Sequence, residues 1–341
     1  AMEVRLCNAS SAILVVGSVV GGLADTPHEL ILARVLQGIG GTAIFTCSLS
    51  VLSLQFPASE RPRALSIKSS VSWAAGGLAV LVFAVLLELL GWKATFWGAI
   101  PIALLGLVLV ATTTPEFHER TADSKLDLAG ALILTAAFLM VSYTLFESDE
   151  VPVVRLALMV AIAALLFGLF AFVESRSADP LIPLSIWRQP TFTGAIVAAF
   201  IFNGVMMGML YLLALYLQTV GGLGAVDTAK VLIGATIAVI ITNPVGALLA
   251  RRGRFLLPVV AGMLLIALGC TGVLLGIKGD SNAVILGGLI VLGTAVGIQT
   301  TPVATLQVSS AGAKKGTASG VVAITFGLST AMGIALATAI M

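Results

Sequence analysis

The sequence predicts an all-α polytopic membrane protein with about eleven transmembrane helices. Three observations carry this prediction: 59% of the 341 residues are hydrophobic, only 10% are charged, and long apolar runs recur along the chain. A soluble domain contains about 25% charged residues. A chain this apolar lacks the polar surface that water requires, whereas lipid favours it as long as the backbone is helical.

The apolar runs are long enough to cross a bilayer, which takes about 20 residues per helix. Charged residues, prolines and clusters of Asn, Asp or Gly separate one run from the next. The predicted spans are 9–24, 29–55, 65–89, 93–113, 127–146, 153–173, 191–219, 228–250, 255–276, 283–307 and 317–341. Short connections make neighbouring helices antiparallel. Glycines such as Gly38, Gly41, Gly293 and Gly297 are expected to allow close helix packing.

The spans suggest three segments: a partial first bundle at 1–113, an inserted helix pair with linkers at 114–189, and a second bundle at 190–341. The number of spans is odd, and the chain stops at Met341 within an apolar run. We therefore expect that both ends of the chain are cut.

Basic residues predict the orientation. Of the 18 lysines and arginines, 13 gather at one set of alternate helix ends, four lie at the other set, and Arg34 lies within a span. Cytoplasmic loops of membrane proteins carry an excess of Lys and Arg. Residue 1 is therefore expected on the cytoplasmic side of the plasma membrane and residue 341 on the outer side.

Several function classes find no support in the sequence. The net charge is only +2 and is dispersed, so no nucleic-acid partner is expected. Cys7, Cys47 and Cys270 lack metal-ligand spacing and are expected to be small buried hydrophobic residues. The sequence has no phosphate-binding loop and no nucleophile motif. We predict a protein that is not an enzyme and has no cofactor and no metal.

Motifs along the chain resemble those of the major facilitator superfamily, and in particular its drug:proton antiporters with fourteen spans. The segment 30–41 resembles the fourth-helix motif, in which an Arg is followed by Gln-Gly and small residues. Further matching segments are 56–65, 126–130, 179–184, 192–194, 215–218 and 316–320. The resemblance implies that this chain covers helices three to thirteen of such a protein, and that it exports drugs or metabolites in exchange for protons.

The chain departs from the family pattern at three places. The antiporter motif of the fifth helix has a Gly-Pro pair followed by Gly-Gly, but 79–80 is Ala-Val and 83–84 is Phe-Ala. Gly76 and Gly77 stand earlier and out of register. The Asp expected before Arg251 is Ala250, and the Pro expected at position 46 is Thr46. The loss of the Gly-Pro pair weakens the case for antiport.

Arg34 is the sharpest candidate for a functional residue. It lies about 9 Å into its span, at 1.5 Å per residue. A guanidinium at this depth must be paired or wet. The functional hypothesis is that Arg34 takes part in proton coupling or binds substrate. The structural hypothesis is that it extends to the outer surface or joins neighbouring helices. Gln37 lies one turn away on the same face, where it binds substrate or pairs with Arg34.

Other polar or aromatic residues within apolar spans are candidates for the substrate or proton pathway. They are Trp73, Asn203, Tyr211, Gln218, Asn243, Gln299 and Thr301. Each either lines a central cavity or forms a hydrogen bond between helices, and Trp73 is either a cavity aromatic or a lipid-facing anchor. Glu88 and Asp127 lie at helix ends, where a carboxylate commonly has a structural role.

The predicted function is secondary transport by alternating access, with lipid, a small organic substrate and protons as partners. Two alternatives stay open. One is a facilitator or symporter without antiport, and the other is a truncated membrane protein that does not transport.

Overall fold

The computed structural model describes residues 2–57, 59–113, 128–147, 151–177, 189–279, 281–309 and 315–339. Over these residues the chain forms eleven α-helices and no strand. Each predicted span overlaps one helix, so the predicted all-α class is confirmed. The helices are α1 (Met2–Leu23), α2 (Pro27–Gln55), α3 (Arg61–Leu90), α4 (Trp92–Thr113), α5 (Leu128–Phe146), α6 (Val153–Arg176), α7 (Pro190–Thr219), α8 (Ala225–Arg251), α9 (Leu256–Lys278), α10 (Asn282–Ser309) and α11 (Lys315–Ala339).

The helices have the length and surface that a membrane requires. Nine of those described are long and apolar enough to cross one, and α1 and α5 contain shorter apolar stretches, Cys7–Leu23 and Ala129–Leu145. Large apolar side chains such as Leu165 and Leu268 are exposed on the outside of the bundle. Such a surface is stable in lipid, and the prediction of a multi-pass membrane protein is confirmed. Asp127 and the matching segment 179–184 lie outside the described residues.

Local sequence signals set the ends of the first helices. At the start of α2, the Thr26 hydroxyl accepts a hydrogen bond from the Glu29 N–H at 3.4 Å, and the Glu29 carboxylate accepts one from the Thr26 N–H at 3.2 Å. This reciprocal pair satisfies N–H groups that have no partner within a helix. Gly91, with φ of 82°, makes the turn between α3 and α4, a conformation that favours glycine.

Helices α1, α2 and α4 pack together through small residues and, with α3, are called the first bundle here. A Cβ added at Gly40 would lie 2.7 Å from the Ser10 carbonyl oxygen, and one added at Gly17 would lie 2.9 Å from the Gln37 nitrogen. Gly21 leaves no room for a Cβ beside the Phe96 ring. We expected Gly38 and Gly41 at such contacts, but a Cβ added at either position would meet no atom of another helix within 4 Å.

Helices α7 to α11 are called the second bundle here, and α7 to α10 supply the buried residues of its main hydrophobic core. Its fully buried members include Met206, Val239 and Leu292. Close contacts between backbones surround this core: a Cβ on Gly293 would overlap the Ala235 carbonyl oxygen. The expectation for Gly293 is therefore met. Helices α5 and α6 of the inserted pair pack against each other, with an edge-to-face contact between Phe138 and Phe167 whose ring centroids are 5.1 Å apart. Helix α5 also packs against α11.

The long contact between α3 and α8 joins the two bundles, and we call it the seam. The basic end of the molecule is the end that carries Arg61 and Arg251. Because the two helices are antiparallel, the start of α3 faces the end of α8 there. In the middle of the seam, a Cβ on Gly77 would lie 2.6 Å from the Thr236 methyl group. Glycine at this point allows the two bundles to lie close together.

Candidate transport cavity

A cavity of about 290 Å³ lies between the two bundles. Helices α2 and α3 of the first bundle form one side, and α7, α10 and α11 of the second form the other. Its lining residues are Phe45, Leu49, Leu65, Lys68, Ser69, Ser72, Trp73, Gly76, Ala199, Phe202, Asn203, Met207, Thr300, Thr301, Val303, Ala304, Gln307, Val322 and Phe326. A mostly apolar cavity with a few convergent polar groups is typical of a site for a small organic molecule.

Helical spacing places these side chains in the cavity. On α3 the lining residues follow steps of three and four from Leu65 through Lys68 and Ser72 to Gly76. Residues at this spacing lie on one face of a helix. The same spacing recurs on α10, where Thr300, Ala304 and Gln307 belong to the cavity wall.

Lys68 is a cavity residue, and it is one of the 13 basic residues that the orientation argument counted at the cytoplasmic helix ends. Its Nζ lies 3.9 Å from the centroid of the Phe45 ring, and that ring stacks on Phe326 of α11 with centroids 5.4 Å apart. Among the described lining residues Lys68 alone is charged. Lys68 lies three residues after Leu65 and four before Ser72, so the three side chains share one face of α3, but the sequence alone did not show that this face borders a cavity.

Asn203 lines the cavity and ties α7 to α11. Its side-chain amide donates hydrogen bonds to the Ser329 hydroxyl at 2.7 Å, the Thr330 hydroxyl at 3.0 Å and the Phe326 carbonyl oxygen at 3.2 Å. Its Oδ1 is buried and has no hydrogen-bond partner among the described residues. Gln307 similarly ties α10 to α7 through a 3.4 Å hydrogen bond to the Ala195 carbonyl oxygen.

Asn243 lies beside the cavity rather than on its wall and fastens the seam near the basic end. It is fully buried on α8, and its amide donates to the Ser66 carbonyl oxygen and to the Ser70 hydroxyl, both at 3.2 Å. Thr301 of the cavity wall donates a hydrogen bond to the Asn243 Oδ1 at 2.6 Å. The Asn243 side chain therefore links α3 of the first bundle to α8 and α10 of the second bundle, next to the cavity.

The other end of the seam is fastened by Glu88. Its Oε1 accepts a hydrogen bond from the Val226 backbone N–H, near the first turn of α8, at 2.9 Å. The N–H groups in the first turn of a helix have no partner within the helix, and a carboxylate there also interacts favourably with the helix dipole. Glu88 is exposed, in contrast to the buried Asn243.

Arg34 and Gln37 form a separate polar group within the first bundle, away from the cavity. The Arg34 guanidinium donates to the Gln37 Oε1 at 3.2 Å and lies 4.6 Å from the Phe96 ring centroid. Gln37 in turn donates to the Ser18 hydroxyl on α1 at 3.0 Å. The contacts join α1, α2 and α4, and a pathway role for the two residues stays a prediction.

Three further candidates point elsewhere. Gln299 is fully buried beside Gly262 of α9, where a Cβ on the glycine would overlap the amide group. Tyr211 and Gln218 are exposed on α7. Of the nine residues proposed from the sequence, the structure brings Trp73, Asn203 and Thr301 to the cavity wall. Their role in transport stays a prediction.

Two packed helical bundles with an apolar cavity between them define a class of polytopic membrane transporters. The chain belongs to the Major Facilitator Superfamily, whose family model matches residues 5–334. The predicted resemblance to this superfamily is confirmed. Membership indicates a transporter and not an enzyme, as the sequence analysis predicted.

Relatives named as drug-resistance proteins match nearly the whole chain. The chain is 27% identical over 343 residues to the quinolone resistance protein NorB of Staphylococcus aureus (strain MRSA252), covering 99% of this chain and 74% of that protein. It is 28% identical over 330 residues to the multidrug resistance protein Stp of Mycobacterium tuberculosis (strain CDC 1551 / Oshkosh), covering 95% of this chain and 61% of that protein. These similarities confirm the predicted likeness to drug exporters.

A solved structure has the same fold. The proton:xylose symporter XylE superposes with a TM-score of 0.57, covering 98% of this chain and 72% of that chain, at 17% sequence identity. At this identity the similarity concerns the fold alone. It confirms the predicted major facilitator architecture.

Proposed function

We propose that this protein exports amphipathic organic compounds across the plasma membrane in exchange for protons, by alternating access to the cavity between its bundles. The observation that carries the proposal is the composition of the cavity wall, to which both bundles contribute. When one bundle tilts against the other, such a site opens to one side of the membrane and then to the other. The names of the relatives, which refer to quinolone and multidrug resistance, support an organic cargo.

The test uses inverted membrane vesicles that contain the protein and norfloxacin, a fluorescent quinolone, as the probe. We expect norfloxacin to accumulate in vesicles that contain the protein and not in vesicles that lack it. Ala199→Trp places a large ring on the cavity wall and should stop this uptake, whereas the control Ala164→Trp, at an exposed position on α6, should not. Uptake that Ala199→Trp leaves unchanged would remove the cavity from the mechanism.

A facilitator or symporter without antiport is the second candidate. The cavity favours it in one respect: no carboxylate is among the described residues that line the wall. A carboxylate with a raised pKa is a common proton carrier in transporters. Proteoliposomes with a pH-sensitive dye inside distinguish the two, because antiport moves protons against the added norfloxacin. Norfloxacin flux without proton movement, or with protons moving in the same direction as norfloxacin, would contradict antiport and favour the second candidate.

The proposed orientation places the basic end on the cytoplasmic side. It rests on the excess of Lys and Arg at the helix ends that include Arg252, compared with those that include Lys93. We expect a membrane-impermeant maleimide to label Lys93→Cys in intact cells and Arg252→Cys only in inverted vesicles. The reverse pattern would contradict this orientation.

A further inference from the structure

The charge of the cavity wall carries a further inference, which rests on the proposed function and specifies its substrate class. We propose that Lys68 selects organic anions, so that the transported compound has an aromatic or aliphatic body with a carboxylate or sulfonate group. The proposal follows from the position of Lys68, from its contacts and from the absence of a countercharge among the described residues of the wall.

The position of Lys68 is the first step. It lies on α3, about two turns into the helix, where it is half-buried and borders two neighbouring spaces. One is the central cavity, and the other is a cleft of about 650 Å³ between α2 and α3. Phe45, Lys68 and Ser72 line both spaces. A ligand in either space therefore meets the same ammonium group.

The surroundings of Lys68 are the second step. The Phe45 ring at 3.9 Å stabilises a cation by its π face, but it leaves the positive charge without a counterion. No ion pair of Lys68 is found among the described residues. An ammonium group in an apolar site is unfavourable unless it is paired. An anionic ligand supplies the missing partner, while a cationic ligand adds repulsion to the loss of its own water.

The aromatic side chains are the third step. Phe45, Trp73 and Phe326 line the cavity, and Phe45 stacks on Phe326 at 5.4 Å. Aromatic side chains provide large apolar contact area for a ring-containing ligand. The cavity thus combines an apolar, aromatic wall with one cation, which matches an amphipathic anion.

The test compares two compounds that share a ring system and differ by one charge. They are 1-anilinonaphthalene-8-sulfonate, an anion, and N-phenyl-1-naphthylamine, which is neutral. The reporter is Ser72→Cys, an exposed position on the cavity wall, in a background where Cys7, Cys47 and Cys270 are alanine. The rate of alkylation by N-ethylmaleimide is measured in lipid nanodiscs at increasing compound concentration, and the half-protecting concentration is recorded.

We expect both compounds to protect the reporter when Lys68 is present. Lys68→Met should raise the half-protecting concentration of the anion by at least about tenfold, the effect of losing one charge-assisted contact. The same substitution should leave that of the neutral compound within about twofold. Lys68→Arg should retain the protection by the anion, because it retains the charge. If Lys68→Met is not recovered as folded protein, Lys68→Gln takes its place.

The remaining outcomes separate the inference from the proposed function. Protection by both compounds with no effect of Lys68→Met on the anion would overturn the anion preference and leave the transport cavity intact. Equal losses for the two compounds would overturn it as well, because the role of Lys68 would then not depend on ligand charge. If neither compound protects the reporter, or if both protect a control cysteine at exposed Thr271 of α9 equally, the cavity does not bind such compounds and the proposed function fails.

Discussion

The two ends of the seam between α3 and α8 are fastened in different ways. Near the basic end, Asn243 is fully buried and connects with Ser66, Ser70 and Thr301 through three hydrogen bonds. At the opposite end, the exposed Glu88 accepts a single hydrogen bond from the start of α8. A buried polar group that loses its partners is unfavourable, whereas an exposed one exchanges them for water. We therefore expect the end with Glu88 to open more readily than the end with Asn243.

The largest expected effect concerns the buried end. Thr301→Val should lower the free energy of unfolding by about 1–3 kcal/mol, because the buried Asn243 Oδ1 loses its donor. Thr300→Val is the matched control, since the Thr300 hydroxyl donates only to Val296 of its own helix. Thermal unfolding of both variants in detergent measures the difference. Equal stability of the two variants would show that the contact with Asn243 is unimportant.

An intermediate effect is expected in the middle of the seam. Gly77→Ala should destabilise the protein by about 1 kcal/mol, because the new Cβ would lie 2.6 Å from the Thr236 methyl group and must displace it. Gly76→Ala is the neighbouring control, where a Cβ meets nothing within 4 Å. The two substitutions gain the same helix propensity, so a lower unfolding temperature for Gly77→Ala alone reports seam packing. A higher unfolding temperature for Gly77→Ala would show that the seam can accommodate the additional methyl group.

The smallest effect on stability is expected at the exposed end. Glu88→Gln keeps an acceptor for the Val226 N–H but removes the charge that faces the start of α8. The free energy of unfolding should change by less than about 0.5 kcal/mol, as for most surface substitutions. Spin labels on the exposed residues Leu89 and Asp227 should instead report a broader distance distribution at this end. An unchanged distance distribution together with a large loss of stability would show that the contact of Glu88 is not the weaker of the two ends of the seam.

The fold was predictable from the sequence because composition and span length determine it in lipid. The faces of the helices were less predictable. Membrane helices are apolar on most sides, so no polar stripe tells which side faces the protein interior. Asn243 and Gln299 looked equivalent in the sequence, yet one fastens the seam and the other lies against Gly262.

The position of Lys68 at the cavity was also hard to predict from the sequence. Counting basic residues at helix ends predicts orientation, and Lys68 lies close enough to the start of α3 to be counted there. Only the packing of α3 against α2 shows that its side chain contacts Phe45 at the cavity. Trp73 and Asn203 were proposed from the sequence as cavity residues beside equally open alternatives, a lipid-facing anchor for Trp73 and an interhelical hydrogen bond for Asn203, and the structure shows both on the cavity wall.

The central claim, transport by alternate opening at the ends of the seam, is tested most directly by locking one end. The variant combines Glu88→Cys with Val226→Cys in a background where the three native cysteines are alanine. A short bifunctional thiosulfonate then joins the two bundles at the exposed end. We expect norfloxacin uptake by inverted vesicles to stop after cross-linking and to return after reduction. Uptake that continues at the same rate in the cross-linked protein would contradict the account.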